Sequence, residues 1–308
     1  MKSLLTSIGR TPLIKLERLS EPGSAEIFLK LEGANPTGSM KDRMALSMIE
    51  GAERRGALEP GGTVVEYTGG STGSSLAMVC AAKGYKAHFV ASDAIAEEKI
   101  QTMRAFGAEV EIIPSGDGKV SPELIQKMVA RARELAARPN TFWTDQFNNP
   151  DNRAAYHAMA TEILEDLGGK VDAFVQGVGT GGSFSGTAEA LRERVRGIRC
   201  VPVEPAACPA LSNRGPLGHH RLEGMGAGFV PAICRLDLAD EIVAVEDSDA
   251  YETARKLARV EGVLAGISCG ANVWAAMRIA RGLGPGRRVV TLIVDSGLKY
   301  LRGDLYRG

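Results

Sequence analysis

The sequence predicts an α/β fold of mainly parallel sheets covered by helices, and three observations predict it. Apolar runs of strand length alternate with helical patterns along most of the chain. Several runs are continuously apolar rather than alternating, as strands buried on both faces must be. Glycine-rich turns follow the strands, where open α/β sheets place their ligands.

Residues 25–31 read as a strand and 43–55 as a helix, followed by a strand over 63–67 and a helix over 73–82. Strands over 86–91 and 109–113 flank a helix over 97–106. Ser121-Pro122-Glu123 starts the next helix, because serine caps and proline fits the first turn. The second half repeats the habit with helix 152–167, strand 171–176, helix 185–195 and strand 198–203. Strand 241–245, helices 249–260 and 271–281, and strand 288–294 complete the series. There is no internal repeat, heptad or low-complexity segment, and no composition shift marks a linker.

At 308 residues the chain can build one large or two ordinary domains. Its 44% apolar and 24% charged residues are a globular composition. Lysine plus arginine equals aspartate plus glutamate at 37 each, so the basic excess that nucleic acid or an anionic membrane requires is missing. The expected substrate is small, with charge recognised locally. Cys80, Cys200, Cys208, Cys234 and Cys269 are odd in number and form no CxxC pair, which fits reduced thiols rather than a stapled secreted scaffold. The N-terminus carries Lys2, but its apolar stretch is broken by Thr6, Ser7, Gly9 and Arg10. That is too short for a signal peptide, and no later run could cross a bilayer, so the cytoplasm is expected. His88, His157, His219 and His220 lack metal-ligand spacing, and no metal is expected.

Gly177-Val178-Gly179-Thr180-Gly181-Gly182-Ser183 joins a strand to a helix. Glycines let the backbone turn tightly and aim N–H groups at an anion, while Thr180 and Ser183 add hydroxyl donors. The stretch also spells G-x-G-x-x-G through Gly177, Gly179 and Gly182, with Glu204 near where a dinucleotide fold holds its ribose. A phosphate cradle, a dinucleotide site and a plain glycine turn all fit this loop.

Asn35-Pro36-Thr37-Gly38-Ser39-Met40-Lys41-Asp42-Arg43 places a turn-forming cluster before a helix whose first turn holds a lysine. Most lysines are solvated surface groups. This one sits at the wrong end of the helix dipole, which disfavours its charge. Free lysine has a pKa of about 10.4, so little of it is a neutral nucleophile near pH 7. Positive potential and desolvation lower that value, and the amine can then bond to an aldehyde. A phosphorylated aldehyde cofactor would use both Lys41 and the loop over 179–183.

The Lys41 motif stands in a series with Gly9-Arg10-Thr11-Pro12-Leu13, the loop 68–73, Gln146-Phe147 and the phosphate loop. Gly224-Met225-Gly226-Ala227-Gly228-Phe229 and the segment 262–270 complete it. In this series the chain resembles the cysteine synthase (O-acetylserine sulfhydrylase) and cystathionine β-synthase family, pyridoxal-phosphate enzymes of fold type II, tryptophan synthase β-like. Several ordered motifs are more specific than any one alone.

The resemblance implies two domains: a smaller mobile one over 40–146 that carries the substrate loop, and a larger one over 1–39 and 147–308 that anchors the cofactor phosphate. It implies pyridoxal 5′-phosphate held on Lys41, which would later move the α-proton. Gly179, Thr180, Gly181, Gly182 and Ser183 would hold the phosphate, Ser71 would face the ring hydroxyl, and Ser268 the pyridine nitrogen. A neutral hydroxyl there leaves the ring a weaker electron sink than an aspartate would, which favours expelling a β-substituent. Thr68, Gly69, Ser71, Thr72 and Gln146 would bind the substrate carboxylate. Cys269 reads as a buried packing residue. The implied activity is β-replacement on an activated, O-acetylserine-like serine by sulfide or another small nucleophile, in cysteine biosynthesis, by a cytoplasmic homodimer.

The chain departs from the family pattern in two places. The usual Thr-Ser-Gly-Asn-Thr-Gly loop here has Gly69 for serine and Ser71 for asparagine, which puts the donor in question. Val294-Asp295-Ser296-Gly297 replaces the common Pro-Ser-Ser-Gly; Asp295 could approach the ring or serve structure. Cystathionine formation from serine, β-cyanoalanine or diaminopropionate synthesis, and net β-elimination are alternatives within the group. Outside it stand a nicotinamide oxidoreductase and a binding protein without turnover. The histidine of the Ser-x-Gly-Asn-His loop of serine and threonine dehydratases is missing. With neither a haem-binding extension nor a C-terminal regulatory domain read in the sequence, a regulated animal-type cystathionine synthase is not expected.

Overall fold

The chain opens with β1 (Leu13–Lys15) and β2 (Glu26–Leu31), then enters α1 (Lys41–Arg54). Next come β3 (Thr63–Tyr67), α2 (Ser71–Lys83), β4 (Lys86–Ser92), α3 (Glu97–Ala105), β5 (Glu109–Ile113), α4 (Pro122–Ala136), β6 (Thr141–Trp143) and α5 (Pro150–Ala154). It continues through α6 (His157–Asp166), β7 (Ala173–Gly177), α7 (Gly182–Arg192), β8 (Arg199–Pro205), β9 (Val243–Val245), α8 (Asp247–Lys256), α9 (Ile267–Leu283) and β10 (Arg288–Ile293). The computed structural model describes residues 3–116 and 121–307; Lys2 and the outermost residues of the expected domain ranges lie outside the described residues. Contacts divide the chain into two compact units, Met1–Ile8 with Lys41–Ala155 and Gly9–Met40 with Tyr156–Gly308.

In the first unit four parallel strands lie in the order β5-β4-β3-β6. Val65 and Val90 pack with Leu124, Met128, Ala132 and Leu135, the apolar stripe of α4. Ser121 caps α4, its hydroxyl accepting the Leu124 N–H at 3.2 Å. Helix α2 ends at Gly84, in the left-handed conformation that glycine adopts without penalty.

The second unit holds a six-stranded sheet, β1-β2-β10-β7-β8-β9, in which only the β1–β2 pair is antiparallel. From β7 the chain moves outward through β8 and β9, then returns to β10 on the other side of β7. The direction of travel reverses there, and such a reversal opens a crevice at the carboxyl ends of the strands. The loop after β7 is the glycine loop of residues 177–183.

Two local expectations give way to packing, and two short strands had no expectation at all. The single helix over 152–167 is two, α5 and α6, broken where the chain leaves one unit for the other. Tyr156 at the break buries its ring, and its hydroxyl donates to the Met40 carbonyl at 3.2 Å. The helix over 249–260 ends at Lys256 and continues as one π-helical turn, Leu257–Glu261, closed by Gly262. The strands β1 and β6 are three residues each, too short for a period to register in sequence.

Gly270 is where α9 meets α8: an added methyl would strike the Ala250 carbonyl oxygen and lie 2.8 Å from the Ala254 nitrogen. Gly270→Ala is expected to lower stability by about 2–3 kcal/mol. Gly282 of the same helix faces open space, so Gly282→Ala should be neutral or slightly stabilising. Urea midpoints of the two variants check both.

Candidate active site

The backbone leading to Lys41 is pinned. Gly38 turns with a φ of +74° and donates to the Asn35 carbonyl at 2.8 Å. Met40 N–H donates to Val294 O at 2.8 Å and Ser296 N–H to Gly38 O at 2.9 Å, around the antiparallel Ser39–Asp295 bridge. Lys41 follows as the first, half-buried residue of α1. Asp42 beside it is buried and accepts the Ser75 hydroxyl at 2.6 Å, which ties α1 to α2.

Among the expected carboxylate-binding residues of the first unit, Thr68 closes its own loop, and Thr72 and Gln146 hydrogen-bond one another. Thr68 Oγ1 accepts the N–H groups of Gly70 and Gly73 at 3.2 and 3.1 Å, which closes the loop on itself. Thr72 Oγ1 donates to Gln146 Oε1 at 2.9 Å, and Gln146 Nε2 reaches Tyr67 O at 3.4 Å. Ser71 opens α2, half-buried. Gly70, at φ +155°, carries the stem of Lys99 across it, so a Cβ there would lie 2.8 Å from Lys99 Cδ. Gly69 is exposed, and a methyl on it would meet only Ile95 Cδ1, at 4.0 Å. The position where relatives of the resembled family carry serine therefore has room for a side chain.

Beneath this loop lies a residue that the sequence reading passed over. Glu66 is fully buried in β3, and its Oε1 accepts from Tyr67 N at 2.9 Å and Trp143 Nε1 at 3.2 Å. Its Oε2 accepts from Thr144 Oγ1 at 2.6 Å and Gln146 N at 3.0 Å. Burial pushes the carboxyl up to about 7 against the pull of those four donors. A charged residue inside an apolar run, Val64-Val65-Glu66, was the available signal.

In the second unit Gly181, left-handed at φ +83°, is the N-cap of α7, and no side chain caps that helix. Its first-turn N–H groups have no partner within the helix, and the first of them, Gly182 N–H, reaches back to the Thr180 hydroxyl. Gly179 lies so close to Gly224 that any Cβ would strike the Gly224 carbonyl oxygen. Thr180 and Ser183 are largely buried. Thr180 Oγ1 accepts Gly182 N–H at 3.4 Å, and Ser183 Oγ accepts a short hydrogen bond from Gln176 Nε2, leaving the Ser183 proton for a ligand. The same Gln176 amide lies 3.8 Å from the sulfur of Met40, the residue before Lys41. Ser268 stands in the first turn of α9, not ahead of it as the sequence suggests. Asn272, one turn on, fixes the end of β7 by accepting Gly177 N–H at 2.7 Å and donating to Leu292 O at 2.9 Å.

Both ambiguous acids have hydrogen-bond partners within the protein. Glu204 is buried and accepts from Leu211 N at 2.7 Å, Ser212 N at 3.3 Å and the Ser212 hydroxyl. That occupies the acid a dinucleotide ribose would need. Asp295 accepts the Tyr300 hydroxyl at 2.6 Å and packs against the Gly266 α-carbon. Burial raises the Cys269 thiol above its ordinary range, so no thiolate nucleophile arises there. Among the described residues no group of three His, Cys, Asp or Glu could hold a metal ion, and no helix is long and apolar enough to cross a membrane.

An uncapped helix start, two hydroxyls and glycines that admit no Cβ fit a phosphate, and the chemistry supported is that of an enzyme working through a phosphorylated aldehyde. Residues 4–295 match the model for pyridoxal-phosphate-dependent enzymes, and the chain belongs to that family. It is 43% identical over 302 residues to a cysteine synthase of Staphylococcus aureus, covering 97% of this chain and 95% of that one. A hydrogen sulfide-producing enzyme from Fusobacterium nucleatum superposes with a TM-score of 0.90 at 43% identity, over 98% of each chain. A cysteine synthase of Entamoeba histolytica does so with a TM-score of 0.93 at 34% identity, over 100% of this chain and 91% of that one. An O-acetylserine-dependent cystathionine β-synthase of Helicobacter pylori gives 0.90 at 36%, over 99% of each.

Two measurements follow. Gly179→Ala should raise the dissociation constant for pyridoxal phosphate at least tenfold, read by titrating apoprotein with cofactor. The Glu66 carboxyl binds its proton more tightly folded than unfolded, so its stabilisation is complete below pH 4.5 and is lost as pH rises to about 7. The loss is about 3 kcal/mol, and Glu66→Gln should remove that slope from denaturation curves taken across this window.

Proposed function

We propose that this chain replaces the β-substituent of an activated serine, O-acetylserine-like, with sulfide or another small nucleophile, as a cysteine synthase does. The observation that carries the reading is a lysine fixed at the first residue of α1 in a chain that also builds an uncapped glycine cradle. Support comes from relatives named as cysteine synthases and from the neutral Ser268 hydroxyl in place of an acid. Lys41 would hold the cofactor covalently, Gly179, Thr180, Gly181, Gly182 and Ser183 its phosphate, Ser268 its ring nitrogen, and Ser71 its ring hydroxyl. When bound, the cofactor supplies the electron sink that weakens bonds at the amino acid's α-carbon.

The protein's own contributions are positional and protonic. Thr68, Gly69, Ser71, Thr72 and Gln146 would receive the substrate carboxylate at the start of α2, where N–H groups suit an anion. The Lys41 amine, released when substrate takes its place, would accept the α-proton and return it after the nucleophile adds. A donor amine at Ser268 or an acid there would alter that balance; a hydroxyl leaves expulsion of the β-substituent favoured.

In this reading residues 40–146 form the smaller, substrate-binding domain, mobile during turnover, while 1–39 and 147–308 anchor the cofactor, in a cytoplasmic homodimer. A second reading, formation of cystathionine or net elimination by the same first half-reaction, is favoured by the open space at Gly69. One similar structure is named a cystathionine β-synthase; another is named a hydrogen sulfide-producing enzyme, and that product requires a sulfur-bearing donor from which sulfide leaves.

Borohydride reduction followed by mass mapping should find a pyridoxyl group on Lys41, and Lys41→Ala should lose the visible band. Purified enzyme with O-acetylserine and sulfide should yield cysteine, identified by product mass. If homocysteine or water outcompetes sulfide in a screen of nucleophiles, the second reading replaces the first.

A further inference from the structure

The network under the substrate loop joins residues that the proposed function uses to one that it does not. Glu66 Oε2 accepts the Gln146 N–H at 3.0 Å, and Asn152 Nδ2 holds the Gln146 carbonyl at 2.7 Å. The Gln146 backbone is thus gripped at both ends, and its side chain accepts the Thr72 hydroxyl at 2.9 Å. Asn149 Nδ2 fixes the Thr144 carbonyl at 2.9 Å, and Thr144 in turn donates its hydroxyl to Glu66. A path of two hydrogen bonds runs from the buried carboxylate through Gln146 to the first turn of α2. A carboxylate taken out of water is expensive unless its acceptor capacity is filled, and all four of its partners are neutral. An apolar residue of similar size would avoid that expense if packing were the only need.

We propose that Glu66 is a positioning residue: its carboxylate sets the backbone of Gln146, and through it the Thr72 hydroxyl, in the geometry that receives the substrate carboxylate. This rests on the β-replacement reading of the same loop. Fixed N–H donors at Tyr67, Trp143 and Gln146 hold the oxygens in place whatever the protonation state, since only the Thr144 hydroxyl can turn to accept a proton. Ionised Glu66 attracts the Gln146 N–H more strongly than the neutral acid does. Substrate should therefore bind more tightly above the titration of this group than below it. Of the ionisable groups nearby, Tyr67 feels the charge of Glu66 and, more weakly, that of Asp145. On the adjacent strand Phe89 is in register with Glu66, and His88 faces Glu109 and Glu111.

The test compares wild type with Glu66→Gln as holoenzymes. L-Alanine has no β-substituent to expel, so its effect on the visible band reads amino-acid binding without turnover. Expected results are an L-alanine dissociation constant and an O-acetylserine KM raised at least fivefold, with kcat within threefold. The acid-side inflection of KM, near neutral pH in wild type, should vanish in Glu66→Gln. The effect should also be non-additive: Glu66→Gln should add less than twofold to KM in a Gln146→Ala background. If Glu66→Gln fails to fold, Thr144→Val removes one donor and keeps the acid, and should move the inflection to higher pH. Unchanged KM and L-alanine binding, or kcat and thermal stability falling together with KM unmoved, would overturn the proposal. A wild-type enzyme that binds L-alanine but ignores O-acetylserine sinks the proposed donor instead, and the Glu66 comparison then stands on the alanine constants alone.

Discussion

The antiparallel bridge between residues 38–40 and 294–296 is the constraint on which the rest depends. Two backbone hydrogen bonds, Met40 N–H to Val294 O and Ser296 N–H to Gly38 O, fix the peptide immediately before α1. The Tyr156 hydroxyl holds the Met40 carbonyl from a third direction. Close approach is what makes this possible. A Cβ on Gly33 would lie 3.0 Å from the Ser296 nitrogen, and Gly38 needs a positive φ. A reactive amine on a flexible stem is useful only if its base is still, and here the turn before it is tied down by an isolated β-bridge.

Each unit buries charge, and each solves the problem differently. In the first, Glu66 is surrounded by neutral donors, so desolvation dominates and its carboxyl rises toward neutrality. In the second, Lys30 is fully buried against Glu162 at 3.0 Å and Asp166 at 3.5 Å, and donates to Thr11 O at 2.7 Å. Thr11 also donates to the buried Glu32 at 2.6 Å, and Asn35 Nδ2 donates to that carboxylate at 2.9 Å. The Gly9–Leu13 motif therefore helps to support the turn that leads to Lys41. The paired arrangement stabilises a fixed geometry; the unpaired one leaves a group able to respond to pH.

In the proposed reading, anion recognition is built from dipoles. With equal numbers of acidic and basic residues, the chain offers no general field to attract a phosphate. The start of α7 would do so locally, with N–H groups, the Thr180 and Ser183 hydroxyls and a glycine-rich backbone. Gln176 adds orientation by engaging Ser183. A side chain at Gly179 or Gly181 would strike Gly224 or Cys234, so the loop can keep this close-packed course only with glycine at both positions.

Much of the architecture was legible in the sequence because it follows from local rules. Alternating apolar runs gave the α/β class, Ser121-Pro122-Glu123 marked a capped helix start, and the glycine loop and the Lys41 turn stood out as chemistry. What sequence could not settle were effects of residues far apart in the chain. The break between α5 and α6 depends on Tyr156 finding Met40, 116 positions earlier. Glu204 looked like a ribose ligand until its carboxylate was seen bound to residues 211 and 212. Glu66 is closed in by Thr144 and Gln146, 78 and 80 residues later, which the strand pattern over 63–67 does not reveal. Residue type and period determine which segments form strands, helices and anion-binding turns. Only tertiary contact decides which buried polar groups meet, because hydrogen-bond partners 78 to 116 residues apart leave no periodic trace in the sequence.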